Sequence, residues 1–195
     1  PSRRRWEATP TPRRNWRVPC PVRPSTAIGM AAPALNNTQG RQSERCGMLI
    51  TRRLEFDAGH RIPNHASQCC HLHGHRYALE ITLSGEIVDS EGAAEQGMVM
   101  DFSAVKAVAN AVLVEQWDHA FLVYRGDHAV VEFLSTLPGH KTVVLPVVPT
   151  AENLAAEAFR ILDAAYIDTY GNQLRLQRVR LYETPNNWAD AERPS

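Results

Sequence analysis

Five of the eight histidines fall between His60 and His75, in a stretch that reads FDAGHRIPNHASQCCHLHGHRY over residues 56–77. His73 and His75 flank Gly74, and in an extended chain an i, i+2 pair points both imidazoles to one face. His60 closes the preceding segment of period 2 and would meet them across a hairpin pair. Three neutral imidazoles with one position left for water or substrate are the donor set of a catalytic Zn²⁺, a Lewis acid toward bound oxygen. An HxH pair also occurs as ordinary surface histidines. A closed Cys₂His₂ site through Cys69 and Cys70 is a further alternative, although adjacent residues seldom reach one tetrahedral ion together.

Cys69 lies four residues before His73 and shares its parity if the segment is extended, whereas Cys70 faces away. A thiolate beside a dication is suited to taking a proton from a substrate, and Cys70 stays open as the rival thiol. Asp118 and His119 follow Trp117, placing an acid beside an imidazole, a side chain suited to passing protons. Those are the parts of a proton relay, and equally of a helix C-terminal His meeting the dipole. Glu183 continues the apolar face of Val179 and Leu181. A carboxylate buried there needs hydrogen-bond donors, which suggests a ligand bearing N–H groups. The plain alternative is an end-of-strand Glu reaching water.

The elements that must position these groups are legible as periodicities. Leu54, Phe56 and Ala58 alternate with Glu55 and Asp57, and Tyr77, Leu79, Ile81 and Leu83 alternate with Ala78, Glu80, Thr82 and Ser84, giving two strands. Asp101 to Gln116 reads as a helix with Phe102, Val105, Val108 or Ala109, and Val112 on one face and Asp101 or Ser103 as cap. Thr142 to Val148 reads as a third strand. Pro149 and Thr150 open a second helix with Leu154, Ala158, Ile161, Leu162 and Ala165 as its stripe. Leu174 to Glu183 reads as a fourth strand. The expectation is an α+β domain of four antiparallel strands with two helices on one face, the other sheet face needing a partner subunit.

Lys plus Arg equals Asp plus Glu at 21 each, but the neutrality averages two unlike parts. Residues 1–48 carry nine arginines, two glutamates and seven of the 13 prolines, without apolar periodicity. They read as a disordered leader, either not native or a targeting segment, with Met48 a natural start. The remainder, residues 49–195, is the folded domain and is net acidic, which argues against a nucleic-acid partner. Four cysteines without a framework pattern point to a reducing, cytoplasmic compartment. No apolar run approaches the roughly 18 residues of a membrane span, so no membrane partner is expected.

Taken together, FDAGH at 56–60, CCHLHGHRY at 69–77, GMVMDF at 97–102, WDHAFL at 117–122, PTAENLA at 149–155 and LYET at 181–184 resemble the 6-pyruvoyltetrahydropterin synthase family over residues 49 to about 190. The three-residue gap between Cys69 and HGH looks like the bacterial 6-carboxytetrahydropterin synthase branch. The resemblance implies a tunnelling fold whose subunit sheets join into a barrel, usually a homohexamer built as a dimer of trimers, with active sites between subunits. It implies that His60, His73 and His75 hold Zn²⁺, that Cys69 is the base, that Asp118 and His119 form a relay, and that Glu183 grips the pterin. The implied reaction takes 7,8-dihydroneopterin triphosphate to 6-carboxy-5,6,7,8-tetrahydropterin, acetaldehyde and triphosphate, on the route to 7-deazaguanine and queuosine. Triphosphate elimination to 6-pyruvoyltetrahydropterin and a non-catalytic zinc or pterin-binding module are the alternatives.

Overall fold

The computed structural model of the chain describes residues 47–194. Apart from its last two residues, the Arg- and Pro-rich leader expected from the sequence lies outside the described residues. Strands β1 (Met48–His60) and β2 (His73–Gly85) pair antiparallel over their whole length, from Met48 opposite Gly85 to His60 opposite His73. Period-2 patterning fixes the parity of this register, because a one-residue slip would turn Leu54, Phe56 and Ala58 away from the side of Tyr77, Leu79, Ile81 and Leu83, all buried.

After residues 86–101 the chain forms helix α1 (Phe102–Ala109), capped by the Asp101 side chain accepting from Ser103 N–H. It widens into a π-helical turn (Asn110–Val114) and ends in the short α2 (Glu115–Trp117). Val105, Ala109, Leu113 and Trp117 are its buried residues. Repeated four-residue steps drift about 40° each around an ideal α-helix, and the wider π turn takes up that drift. Phe102, expected on the core stripe, is instead exposed.

The chain continues through β3 (Ala120–Tyr124), α3 (His128–Ser135), β4 (Thr142–Leu145), the long helix α4 (Ala151–Tyr170), β5 (Leu174–Thr184) and β6 (Asn187–Glu192). Among the described residues one six-stranded sheet results, in the order β4-β3-β1-β2-β5-β6. The expected four-stranded antiparallel sheet is therefore corrected: there are six strands, and β1–β3 and β3–β4 are parallel. The third expected strand stops at Leu145, and the fourth runs one residue further, to Thr184. The strand β3 was missed because five residues show no usable period, and β6 because a polar edge strand resembles a turn. The two-helix expectation also falls short. Ala120 and Leu122 join the main core, whereas Val123 packs with Val130 and Leu134 of α3 in a second cluster.

Helix α4 starts as its sequence demands: Thr150 caps it, accepting from Asn153 N–H, and Leu154, Ala155, Ala158, Leu162 and Tyr166 are buried. Tyr166 also donates its hydroxyl to the Val105 carbonyl at 2.9 Å, tying α4 to α1. No helix among the described residues is long and apolar enough to cross a membrane. Leu79 lies fully buried in β2, so Leu79→Ala should cost about 2–5 kcal/mol through lost transfer energy and the cavity left behind. Urea unfolding followed by circular dichroism should show a lower midpoint with little change in slope.

Candidate metal centre and active site

The β1–β2 register ends on His60 opposite His73, with His75 two residues further along β2. All three share the core-facing parity of their strands. The imidazole rings lie 4.4, 5.2 and 5.0 Å apart between centroids, and their candidate ligand nitrogens fall within 4.8 Å of one another. His60 is fully buried, and its Nδ1 sits 2.7 Å from the Pro149 carbonyl. A carbonyl only accepts, so Nδ1 carries the proton and Nε2 presents a lone pair. The same holds for His73, whose Nδ1 lies 2.8 Å from the His71 carbonyl. These outer hydrogen bonds orient imidazole ligands as metal sites require.

Nε2 of His60 and Nε2 of His75 are buried without a hydrogen-bond partner among the described residues. Burial holds His60 down to about 4, and burial lowers His75 as well, partly opposed by the charge of Glu183. Both are neutral at pH 7, the form that ligates a cation. Glu183 Oε1 stands 3.5 Å from His60 Nε2 and 4.0 Å from His75 Nε2. A carboxylate oxygen facing a bare imidazole nitrogen is acceptor against acceptor, and the arrangement is satisfied when a cation or a donor-bearing ligand sits among them. The residues fit a Zn²⁺ site of the three-imidazole type.

Glu183 is half-buried rather than enclosed. It reaches this place through two irregularities in β5. The pairing with β2 shifts at Thr82/Leu83, so Leu174 and Leu176 face the core on even numbers while Val179 and Leu181 do so on odd ones. A second shift, between Tyr182 and Thr184 against β6, falls on Glu183 itself. Bulges of this kind re-aim side chains beside functional sites.

Cys69 and Cys70 lie in a 3₁₀ turn, Gln68–Cys70, not in an extended segment. The parity argument that separated the two thiols therefore does not apply, and both are half-buried. Neither belongs to the cluster formed by the three histidines. The turn is held by Cys70 N–H to Ser67 O, His71 N–H to Gln68 O and Ile62 N–H to Cys69 O.

Asp118 and His119 sit elsewhere. Asp118 accepts from Asp57 N–H at 3.0 Å through one oxygen and lies 2.9 Å from His119 Nδ1 through the other. That backbone hydrogen bond is the main reason its carboxyl is held below the usual range. His119 has a left-handed φ of 57° and donates its N–H to the Asp57 carbonyl at 2.6 Å, while Lys141 Nζ donates to the Asp118 carbonyl. Asp57 is three residues from His60 in β1, hence on the opposite sheet face. There Asp57, Arg76, His119, Phe121 and His140 border a cleft of about 540 Å³. Asp57, Asp118 and His119 also cluster, but Arg76 makes a two-point pair with Asp57, and both Asp118 oxygens are engaged. Those oxygens are already engaged by neighbouring donors, so this group is less suited to hold a cation than the three histidines.

Sequence reasoning missed the Pro149 carbonyl, read only as part of a turn, and the backbone of Asp57. It also missed Tyr77, whose ring contacts His60 and His75 at 5.9 and 5.7 Å and whose buried hydroxyl has no partner among the described residues. Burial pushes that phenol up, keeping its hydroxyl protonated and able to donate as well as accept. Its parity with His75 was the available signal.

The family model for 6-pyruvoyl tetrahydropterin synthase matches residues 49–194. A Rickettsia bellii protein named 6-carboxy-5,6,7,8-tetrahydropterin synthase is 38% identical over 136 residues, 70% of this chain and 94% of that protein. A Haemophilus influenzae protein of the same name is 31% identical over 143 residues, 72% and 96%. Among solved structures, an uncharacterized Wolinella succinogenes protein superposes with a TM-score of 0.62 at 21% identity, covering 76% of this chain and 99% of that one. The Caenorhabditis elegans 6-pyruvoyl tetrahydropterin synthase does so at 0.53 and 24%, covering 76% and 97%. The fold is the tunnelling fold.

The buried histidine makes a pH prediction for metal-stripped protein. Below pH 6.5 the unfolded chain takes up a proton at His60 that the folded chain refuses until about pH 4, so stability falls as pH drops through that window. Urea unfolding with chelator present should show a loss of about 3 kcal/mol from this residue between those limits. His60→Gln should flatten the slope, and an unchanged slope contradicts the assignment.

Proposed function

This chain belongs to the 6-pyruvoyl tetrahydropterin synthase family, and on that footing we propose that it is a zinc-dependent carbon–carbon lyase. Its substrate is 7,8-dihydroneopterin triphosphate and its products are 6-carboxy-5,6,7,8-tetrahydropterin, acetaldehyde and triphosphate, on the route to 7-deazaguanine and queuosine. The observation that carries the reading is the convergence of three imidazoles, buried bare nitrogens among them, on the carboxylate of Glu183. The name shared by the relatives at 31–38% identity supports the carboxy branch.

His60, His73 and His75 hold Zn²⁺, which when bound supplies Lewis acidity toward the substrate's side-chain oxygens. Glu183 accepts hydrogen bonds from the pterin's amino and ring N–H groups and so sets the side chain's position over the site. Cys69, on its turn beside β1, takes the proton from the activated carbon. The Asp118–His119 pair shuttles a proton, the carboxylate orienting the imidazole through Nδ1. Within one subunit that pair stands on the other sheet face from the three histidines, which supports an active site shared between subunits of a homohexamer, a dimer of trimers. Residues 49–195 form the catalytic domain. The free thiols suit a reducing, cytoplasmic compartment.

Zinc-loaded protein incubated with 7,8-dihydroneopterin triphosphate should release acetaldehyde together with a pterin of the 6-carboxytetrahydropterin mass. A 6-pyruvoyl product without acetaldehyde assigns the sister activity, and no turnover with zinc bound leaves a binding module. Cys69→Ala should lose turnover while keeping zinc and pterin, whereas Cys70→Ala should remain active. Mixing inactive Cys69→Ala and His119→Ala subunits after dissociation should recover activity that neither shows alone, and no recovery argues against the shared site. His73→Ala should lose stoichiometric zinc by metal analysis.

A further inference from the structure

The residue after the first histidine of the cluster makes a two-point ion pair near the site. Arg61 meets Asp127 through two parallel contacts, Nε to Oδ2 at 2.5 Å and Nη2 to Oδ1 at 2.8 Å. Asp127 is only 6% exposed. A carboxylate removed from water this far requires a partner, and a guanidinium fork matches it in geometry as well as charge. Buried pairs of this kind often add little net stability over apolar replacements, so their contribution is better sought in what they hold in place.

The pair reaches the thiols. The remaining Arg61 nitrogen, Nη1, faces the Cys70 carbonyl at 3.5 Å, and the next residue, Ile62, donates its N–H to the Cys69 carbonyl at 2.8 Å. Two consecutive residues leaving β1 therefore hold the carbonyls of both cysteines. On the far side Asp127 is itself anchored. Its N–H donates to Tyr124 O, and its carbonyl accepts from Val130 and Val131 N–H at 3.1 and 3.0 Å at the start of α3. The end of β1, the cysteine turn and the start of α3 are joined through one part-buried contact.

The geometry points to Arg61 and Asp127 as positioning residues that lock the Gln68–Cys70 turn to the His60 end of β1 and so set where the cysteine thiol stands relative to bound substrate. The catalytic consequence rests on the reading of Cys69 as the proton acceptor; the structural link does not.

The test uses full-length, zinc-loaded protein and the variants Asp127→Asn and Arg61→Lys, the second keeping the charge but losing the fork. Hydrogen exchange read by mass spectrometry should show the peptide covering residues 67–71 exchanging at least about tenfold faster in both variants, with the β2 core peptide unchanged. Zinc should stay stoichiometric and KM should remain within about twofold, while kcat falls on the order of 10- to 100-fold, as expected when a reacting group is misplaced rather than removed. Arg61→Lys should fall between wild type and Asp127→Asn. Wild-type exchange and kcat in both variants would overturn the proposal. So would a uniform rise in exchange with zinc loss in Arg61→Lys, since that marks a general structural role. If Asp127→Asn does not fold, Arg61→Lys alone decides. Should wild-type protein yield no product, the lyase reading fails, and the exchange of residues 67–71 still decides the latch.

Discussion

The uninterrupted antiparallel pairing of β1 with β2 carries the molecule. It runs from Met48 opposite Gly85 to His60 opposite His73, and its register is pinned by hydrophobic side chains buried on one face. A slip of one residue would move every side chain of β1 to the other face, exposing Leu54 and Phe56 and turning His60 away from His73 and His75. The core and the histidine cluster thus depend on the same register, and burial energy along the strands determines how the three imidazoles are arranged at their end.

The same pleat that gathers the histidines separates them from the second set of polar groups. Asp57 and Arg76 alternate with the clustered histidines and face the opposite side, where the backbone of Asp57 grips Asp118 and His119. The chain therefore presents two polar clusters, one on each sheet face.

Much of the framework was legible because periodicity reports burial directly. Leu79 and Ile81 marked β2, Leu154 and Ala158 marked α4, and Thr150 marked its start. The parts that escaped have specific physical reasons. The parallel strand β3 is too short for a period and buries Leu122 and Val123 on opposite faces. The strand β6 is a polar edge whose Trp188 lies exposed beside Arg180. The cysteine turn defeated a parity argument because backbone hydrogen bonds from Ile62 and within residues 67–71 bend a segment that composition alone leaves extended.

By itself the sequence determined which residues could do chemistry and which of them share a strand face, since side-chain type and period 2 are local properties. It placed His60, His73 and His75 together and set Glu183 on the face of Leu181. Only the tertiary structure decided how these groups meet. The lone pair of His60 is aimed by the carbonyl of Pro149, 89 residues away in the chain. Glu183 is brought beside the histidines by shifts in strand pairing that depend on neighbouring strands. Asp118 and His119, adjacent in sequence to nothing else in the site, are held by Asp57 across the sheet. Such contacts arise from packing elements distant along the chain, and no local pattern encodes them.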